Sequence, residues 1–107
     1  DDKAGAESVT ALEAEGITAE YYGFDVTSDE AVTSNITKIG EKYGRIDVLV
    51  NNAGVFIPGN IHDMESDDFE IMMLTNVSSA FTLTKKLVTR MKGVCRQKIG
   101  VTSKTAQ

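Results

Sequence analysis

The sequence predicts an α/β fold, a parallel sheet with helices packed on its faces. Three observations carry this reading. Hydrophobic periodicity switches back and forth between helical and strand-like segments along the chain. One short run, Ile46-Asp47-Val48-Leu49-Val50, is almost continuously apolar, as a strand buried on both faces of a parallel sheet reads. Glycines and capping residues fall at the joints, at Gly16, Gly44, Thr27 and Ser66.

Each element follows in order. Val9 and Leu12 among small residues predict a helix over 4–15, stopped by Gly16. Residues 17–24 contain Ile17, Tyr21, Tyr22 and Phe24, a strand composition that ends at Asp25-Val26. Thr27-Ser28-Asp29-Glu30 has the pattern of a capping box, with the Thr27 hydroxyl and the Glu30 carboxylate accepting from backbone N–H groups. The helix it opens sets Val32, Ile36, Ile39 and Tyr43 on one face and ends at Gly44.

After the strand at 46–50 come Asn51-Asn52-Ala53-Gly54 and a loop with Pro58 and Gly59. Ser66 is the expected N-cap of the next helix, with Asp67 and Asp68 in its first turn. One long helix is expected from there to about residue 92, its apolar stripe formed by Phe69, Met72, Met73, Val77, Ala80, Phe81, Leu87, Val88 and Met91. Residues 99–102 form a weaker last strand. Helix and strand alternate throughout, the pattern of βαβ units. No internal repeat or low-complexity segment interrupts it.

Composition narrows the function classes. With 107 residues the chain suits one small domain, and 41% apolar with 25% charged residues is ordinary for a soluble protein. No stretch approaches the roughly 18–20 apolar residues of a membrane helix. The opening Asp1-Asp2-Lys3-Ala4-Gly5 is unlike a signal peptide and has no initiating Met, so the chain is expected to begin part-way through a longer polypeptide. A net charge of −5 disfavours nucleic acid as a partner, and Lys85, Lys86, Arg90 and Lys92 read as a solvated helix face. The single Cys95 makes no internal disulfide, which suits a reducing, cytoplasmic setting. His62, the only histidine, has no ligand cluster at metal-binding spacing, so no metal site is expected. Asn35-Ile36-Thr37 and Asn76-Val77-Ser78 match the glycosylation triplet but fall within predicted helices.

Candidate site residues lie at predicted strand ends or on the helix that follows one, where doubly wound sheets bind ligands. Asn51 and Asn52 can satisfy backbone groups at a strand exit, and Gly54 permits close approach of backbone to a ligand. A polar turn explains the same four letters. Asn76 interrupts an apolar helix stripe and therefore needs specific hydrogen-bond partners, which a bent helix backbone could supply equally well. Asp25 and Ser103 each end a strand, and each alone is an ordinary turn residue.

Taken together, Asp25-Val26-Thr27, then Ile46 through Gly54, then Asn76-Val77, then Thr102-Ser103 resemble the classical short-chain dehydrogenases/reductases in order and spacing. The resemblance covers nearly the whole chain, and Asn51-Asn52-Ala53-Gly54 is its most specific part. It implies a Rossmann-like doubly wound parallel sheet, of which this chain would carry the third to fifth strands. It implies hydride transfer between NAD or NADP and a carbonyl or secondary alcohol, in a homo-oligomer (dimer or tetramer) that needs neither nucleic acid nor membrane.

Residue by residue, Asp25 and Val26 match positions that line the adenine pocket. Asn51, Asn52, Ala53 and Gly54 match the element beside the cofactor's adenosine half. Asn76 matches the catalytic Asn, which bends its helix and holds a water in a proton relay. Ser103 matches the Ser that positions and polarises the substrate oxygen. Val55, Phe56 and Ile57 are candidates for a substrate pocket. The chain departs from the family pattern at Lys98, Gly100 and Ala106.

Two family elements do not occur in these residues. There is no Gly-rich turn for the pyrophosphate, and Tyr21, Tyr22 and Tyr43 have no Lys four places on. The 107 residues alone are therefore expected to be inactive. A truncated or degenerate relative acting as a binding or structural module is the alternative from another class.

Overall fold

Asp1 opens the first helix. Its carboxylate accepts from the N–H groups of Lys3 at 3.0 Å and Ala4 at 3.3 Å, satisfying two of the four donors a helix start leaves orphaned. This helix, α1, spans Asp2–Ala14. Gly16 stops it as the sequence predicts: at φ +80° it lets its own N–H reach Glu13 O (2.9 Å) and the Ile17 N–H reach Leu12 O (3.0 Å), the paired bonds of a Schellman motif. The computed structural model describes residues 1–91 and the backbone of 100 and 101.

Helix α2 spans Asp29–Tyr43 and ends at Gly44, whose φ of +71° favours glycine. Its N-cap is Ser28 rather than Thr27. The Ser28 hydroxyl accepts from Ala31 N–H at 3.2 Å, while the Thr27 hydroxyl donates to Asp25 Oδ1 at 2.7 Å and the Thr27 N–H donates to the same oxygen at 2.8 Å. The upstream carboxylate captures Thr27, so the cap moves one residue on.

The expected strand at 46–50 contracts to β1, Val50–Asn51, which pairs in parallel with β2, Gly100–Val101, setting Val50 opposite Gly100 and Asn51 opposite Val101. Residues 17–24 form no ladder among the described residues. Strand composition alone does not make a strand, because a ladder needs a neighbour at hydrogen-bonding distance. The doubly wound order expected from the sequence places two further strands between this segment and β1.

Tertiary contacts hold residues 17–24 instead. The Tyr21 ring lies directly on Gly5 of α1, leaving no room for a Cβ, and its hydroxyl donates to Asp2 Oδ1 at 3.2 Å. Glu20 bonds Lys42 of α2 and also accepts from the Tyr22 hydroxyl at 2.8 Å. Hydrogen bonds from Lys42, Tyr43 and Tyr22 hold the Glu20 carboxyl at a pKa of about 2. Tyr43, expected on the buried stripe of α2, is half exposed and turned toward this cluster.

The expected long helix occurs in three parts. α3 covers Ser66–Met73, a π-helical turn covers Leu74–Ser78, and α4 covers Ser79–Met91. The N-cap is Glu65, without a side-chain cap bond, and Ser66 is already helical, with acidic Asp67 and Asp68 in the first turn, where they favour the positive end of the helix. At the π turn the Ser79 N–H reaches back five residues to Leu74 O. One extra residue rotates everything after it by roughly 100° relative to a plain α-helix. The expected stripe does not stay on one buried face. Leu87 and Met91 are buried, whereas Phe69, Met73, Val77 and Phe81 face solvent.

The core is small and sits between α2 and α4. Val32, Ile36, Leu87 and Met91 are buried together, with Phe24, Ile46, Leu49 and Leu83 packed against them. Lys86 Nζ, 3.1 Å from Asp29 Oδ1, adds an ion pair between α4 and the start of α2.

Candidate functional site

A cleft of about 560 Å³ opens where the end of β1 meets α2, α4 and the Phe24–Val26 stretch. Its walls are mainly apolar, with Phe24, Ile36, Ile39, Ile46, Val48 and Leu87 among them. Its polar lining comes from Asn51, Asn52 and Asn76, joined by Val26, Ala53 and Gly54. Six of the eight residues singled out from the sequence thus line one cavity.

Asn76 sits in the π turn, and its side chain crosses to the chain leaving β1. Its Oδ1 accepts from Val55 N–H at 2.7 Å, and its Nδ2 donates to Val55 O at 2.8 Å. The sequence led us to expect a buried amide. The residue is exposed, yet both ends of the amide are bonded. A β-branched Thr75 and Val77 flank it, residues that crowd a helix. Together with the pull toward Val55 they account for a widened turn here.

Gly54 stands under this pair. A Cβ added there would come within 3.3 Å of Asn76 Oδ1, closer than packed side chains ordinarily sit. A residue without a side chain is what lets Asn76 reach across.

Asn51 ends β1 and is only 9% exposed. Its Nδ2 donates to Thr84 Oγ1 on α4 at 3.2 Å, tying the strand end to the helix. Its Oδ1 is buried with no partner among the described residues, and such an atom implies a donor still to come.

Asp25 stands apart. It does not line the cleft, and its Oδ1 is taken by the Thr27 N–H and hydroxyl, which hold its carboxyl below the ordinary carboxylate value. Ser103 lies outside the described residues, as do Lys98 and Ala106. Val55 and Phe56 line the cleft but Ile57 does not; its N–H contacts Met72 Sδ at 3.4 Å.

Sequence reasoning missed Thr84 and the backbone role of Val55. Thr84 follows Asn76 by eight residues, near two helical turns, which was a usable signal. A backbone clamp leaves no trace in side-chain identity, so Val55 had none.

The profile described as "short chain dehydrogenase" matches residues 1–105. The chain belongs to that family. It is 36% identical over 91 residues to an uncharacterised oxidoreductase of Thermotoga maritima, covering 85% of this chain and 36% of that protein. It is 34% identical over 80 residues to the gluconate 5-dehydrogenase of Gluconobacter oxydans, covering 75% and 31%. Among solved structures, NAD+-bound xylitol dehydrogenase matches with a TM-score of 0.75 at 34% identity, over 85% of this chain and 35% of that one. A Serratia marcescens short-chain dehydrogenase/reductase matches with a TM-score of 0.79 at 24% identity over 85% and 37%, a likeness of fold alone. These neighbours give the short-chain dehydrogenase chain a Rossmann-like α/β fold. The chain spans about a third of the length of the relatives it matches. No described helix is long and apolar enough to cross a membrane, and no described cluster of His, Cys, Asp or Glu could hold a metal ion.

Proposed function

We propose that the intact protein transfers a hydride between NAD or NADP and a small carbonyl or secondary alcohol substrate. These 107 residues would be its third to fifth strands with their helices, part of one cofactor-binding domain. The observation that carries this reading is the gathering of Val26, Asn51, Asn52, Ala53, Gly54 and Asn76 around a single cleft at a strand's carboxyl end, where doubly wound sheets hold dinucleotides.

The donor set fits such a group. Apolar walls suit a flat aromatic base, and the amides of Asn51 and Asn52 suit polar edges. A bound nicotinamide dinucleotide would supply the hydride donor or acceptor. Val26, Asn52, Ala53 and Gly54 would hold its adenosine half.

Asn76 has a narrower role than its side chain suggests. With Oδ1 and Nδ2 each bonded to Val55, its main-chain carbonyl would be the anchor for a relay water. The π turn supports this, because rearranged helix bonds offer carbonyls that a regular ladder would occupy. Ser103 would polarise the substrate oxygen.

The acid/base of the reaction is not supplied by Tyr21, Tyr22 or Tyr43. None of these lines the cleft, and absence of a general acid/base typically removes about 10²–10⁴ in rate. The 107 residues alone should therefore be inactive. In the intact protein, Asn76→Ala should lower kcat at least tenfold and leave the KM for the nicotinamide cofactor within threefold. An unchanged kcat would sink the assignment. Steady-state kinetics with a panel of small ketones and alcohols, monitored through NADH and NADPH, would identify the cofactor and substrate class.

A further inference from the structure

Met72 and Asn76 are four residues apart on the long helix, and Val55 and Ile57 are two apart on the loop after β1. Four helical residues rise about 6 Å and two extended residues about 6.6 Å, so helix and loop run in matched steps. At one step the Asn76 amide bonds Val55 twice, and at the other the Ile57 N–H donates to Met72 Sδ at 3.4 Å. The two fastenings differ in chemistry. A side-chain amide is inert to oxidants, whereas a thioether is a weak acceptor that takes up oxygen reversibly. We infer that Met72 is a site of oxidative modification, at which a peroxide converts the thioether to the sulfoxide and unfastens the loop at Ile57.

Hydrogen peroxide is the simplest such oxidant. The sulfur lone pair that Ile57 does not use attacks one peroxide oxygen. The O–O bond breaks, an S–O bond forms, and the second oxygen leaves as water with both hydrogens. Sulfur gives up two electrons and the peroxide takes them. Methionine sulfoxide reductases restore the thioether at the expense of two thiols, which leave as a disulfide, with water. Oxidation makes the sulfur electron-poor, a poorer acceptor still, and adds a polar oxygen that needs a donor or water. No oxygen fits between atoms 3.4 Å apart. If it takes the Ile57 N–H the loop must move outward, and if it turns to water the N–H loses its partner. Both outcomes free the backbone at Ile57.

Position favours the reaction. Met72 is partly buried beneath a loop whose residues 55, 56 and 58–60 are exposed, and it lies outside the core cluster of Val32, Ile36, Leu87 and Met91. Met91, 1% exposed, is shielded. Met73 is 42% exposed but lines a separate hollow with Phe69 and Leu74, so its oxidation leaves the loop fastened. Val55 and Phe56 line the cleft, and freeing their neighbour alters its mouth. That consequence for turnover rests on the hydride-transfer reading; the modification itself does not.

The test treats the intact protein, nitrogen-15 labelled at its isoleucines, with dilute hydrogen peroxide. Peptide mass mapping should find one added oxygen on Met72 as well as on Met73. The Ile57 amide should then exchange with solvent faster by about fivefold, and methionine sulfoxide reductase should reverse the change. Met73→Leu should keep the response. Met72→Leu, which retains Met73 and Cys95, should begin with a fast-exchanging Ile57 and change no further. With a ketone or alcohol that the enzyme turns over, kcat/KM should fall about threefold on oxidation, except in Met72→Leu. Failure to turn over any such substrate would count against hydride transfer and leave the Ile57 exchange to decide the modification. The inference is overturned if Met73 is oxidised while Met72 stays unmodified, if Ile57 exchange is unchanged once Met72 is oxidised, or if Met72→Leu responds as the wild type does.

Discussion

Asn76 holds Val55 through both ends of its side-chain amide. The side-chain amide of the first exchanges two hydrogen bonds, 2.7 and 2.8 Å, with the backbone of the second. The pair pins the loop after β1 to the π turn of the long helix, so the two walls of the cleft mouth move as one.

Asn76→Ala removes both bonds and should cost about 1–2 kcal/mol, two modest hydrogen bonds at an exposed site. Asn76→Asp keeps the acceptor for Val55 N–H but sets a carboxylate against Val55 O. It should be as damaging as Ala at pH 7 and recover relative to the wild type below about pH 4, where a protonated carboxyl can again donate. Thermal midpoints of the three proteins at pH 7 and pH 3.5 check this. An Asp variant that gains nothing on acidification would contradict the two-bond account.

Gly54→Ala probes the same pair from below. The new Cβ would stand 3.3 Å from Asn76 Oδ1, so the amide must shift by a few tenths of an ångström. The change in stability should stay below about 1 kcal/mol, because the neighbour is one exposed side chain and the unfolded chain loses freedom on gaining a Cβ. The side-chain amide resonances of Asn76 should nevertheless move, and in the intact protein kcat should fall. A variant with unmoved Asn76 resonances would show that Gly54 has no positioning role.

Much of this was legible in the residues, for reasons that differ by element. The stop at Gly16 and the stop at Gly44 were readable because a positive φ leaves a residue-type signature. The family and most of the cleft were readable because Asn51-Asn52-Ala53-Gly54 and Asn76 are chemically odd for their positions. The cap at Ser28 was not, because Thr27 and Ser28 are equally good caps until a carboxylate at Asp25 takes one of them. The π turn was not legible in the periodicity, although the family resemblance implied a bent helix at Asn76. It arises from a contact between residues 21 positions apart, and helical periodicity contains no information about that. The missing ladder at 17–24 reflects a strand's dependence on partners that its own sequence does not supply.

Two residues of the expected stripe, both on α4, carry opposite predictions. Leu87 is 6% exposed in the small core and Phe81 is 68% exposed. Leu87→Ala should cost about 2–5 kcal/mol, enough to unfold much of a chain whose core is four buried apolar side chains. Phe81→Ala should stay within about 0.5 kcal/mol. Urea titrations followed by circular dichroism would compare them, and equal losses would mean that Leu87 and Phe81 do not differ in burial.

The Glu20 cluster predicts a pH dependence with a definite sign. Bonds from Lys42, Tyr43 and Tyr22 lower the Glu20 carboxyl from 4.5 to about 2. A depressed folded-state value means that the unfolded chain takes up the proton first, so acid favours unfolding. The stabilisation is fully present above pH 4.5 and is lost progressively as pH falls toward 2. Solvent exposure of the Lys42–Glu20 pair and salt screening keep its size modest. Glu20→Gln should therefore lower the thermal midpoint at pH 6 and leave it equal to the wild type at pH 2, with the gap narrowing at high ionic strength. The same substitution should return Tyr22 and Tyr43, both raised chiefly by their bonds to Glu20, toward ordinary tyrosine values in an ultraviolet absorbance titration. A gap that persists unchanged at pH 2 would mean that Glu20 acts through packing and not through its charge.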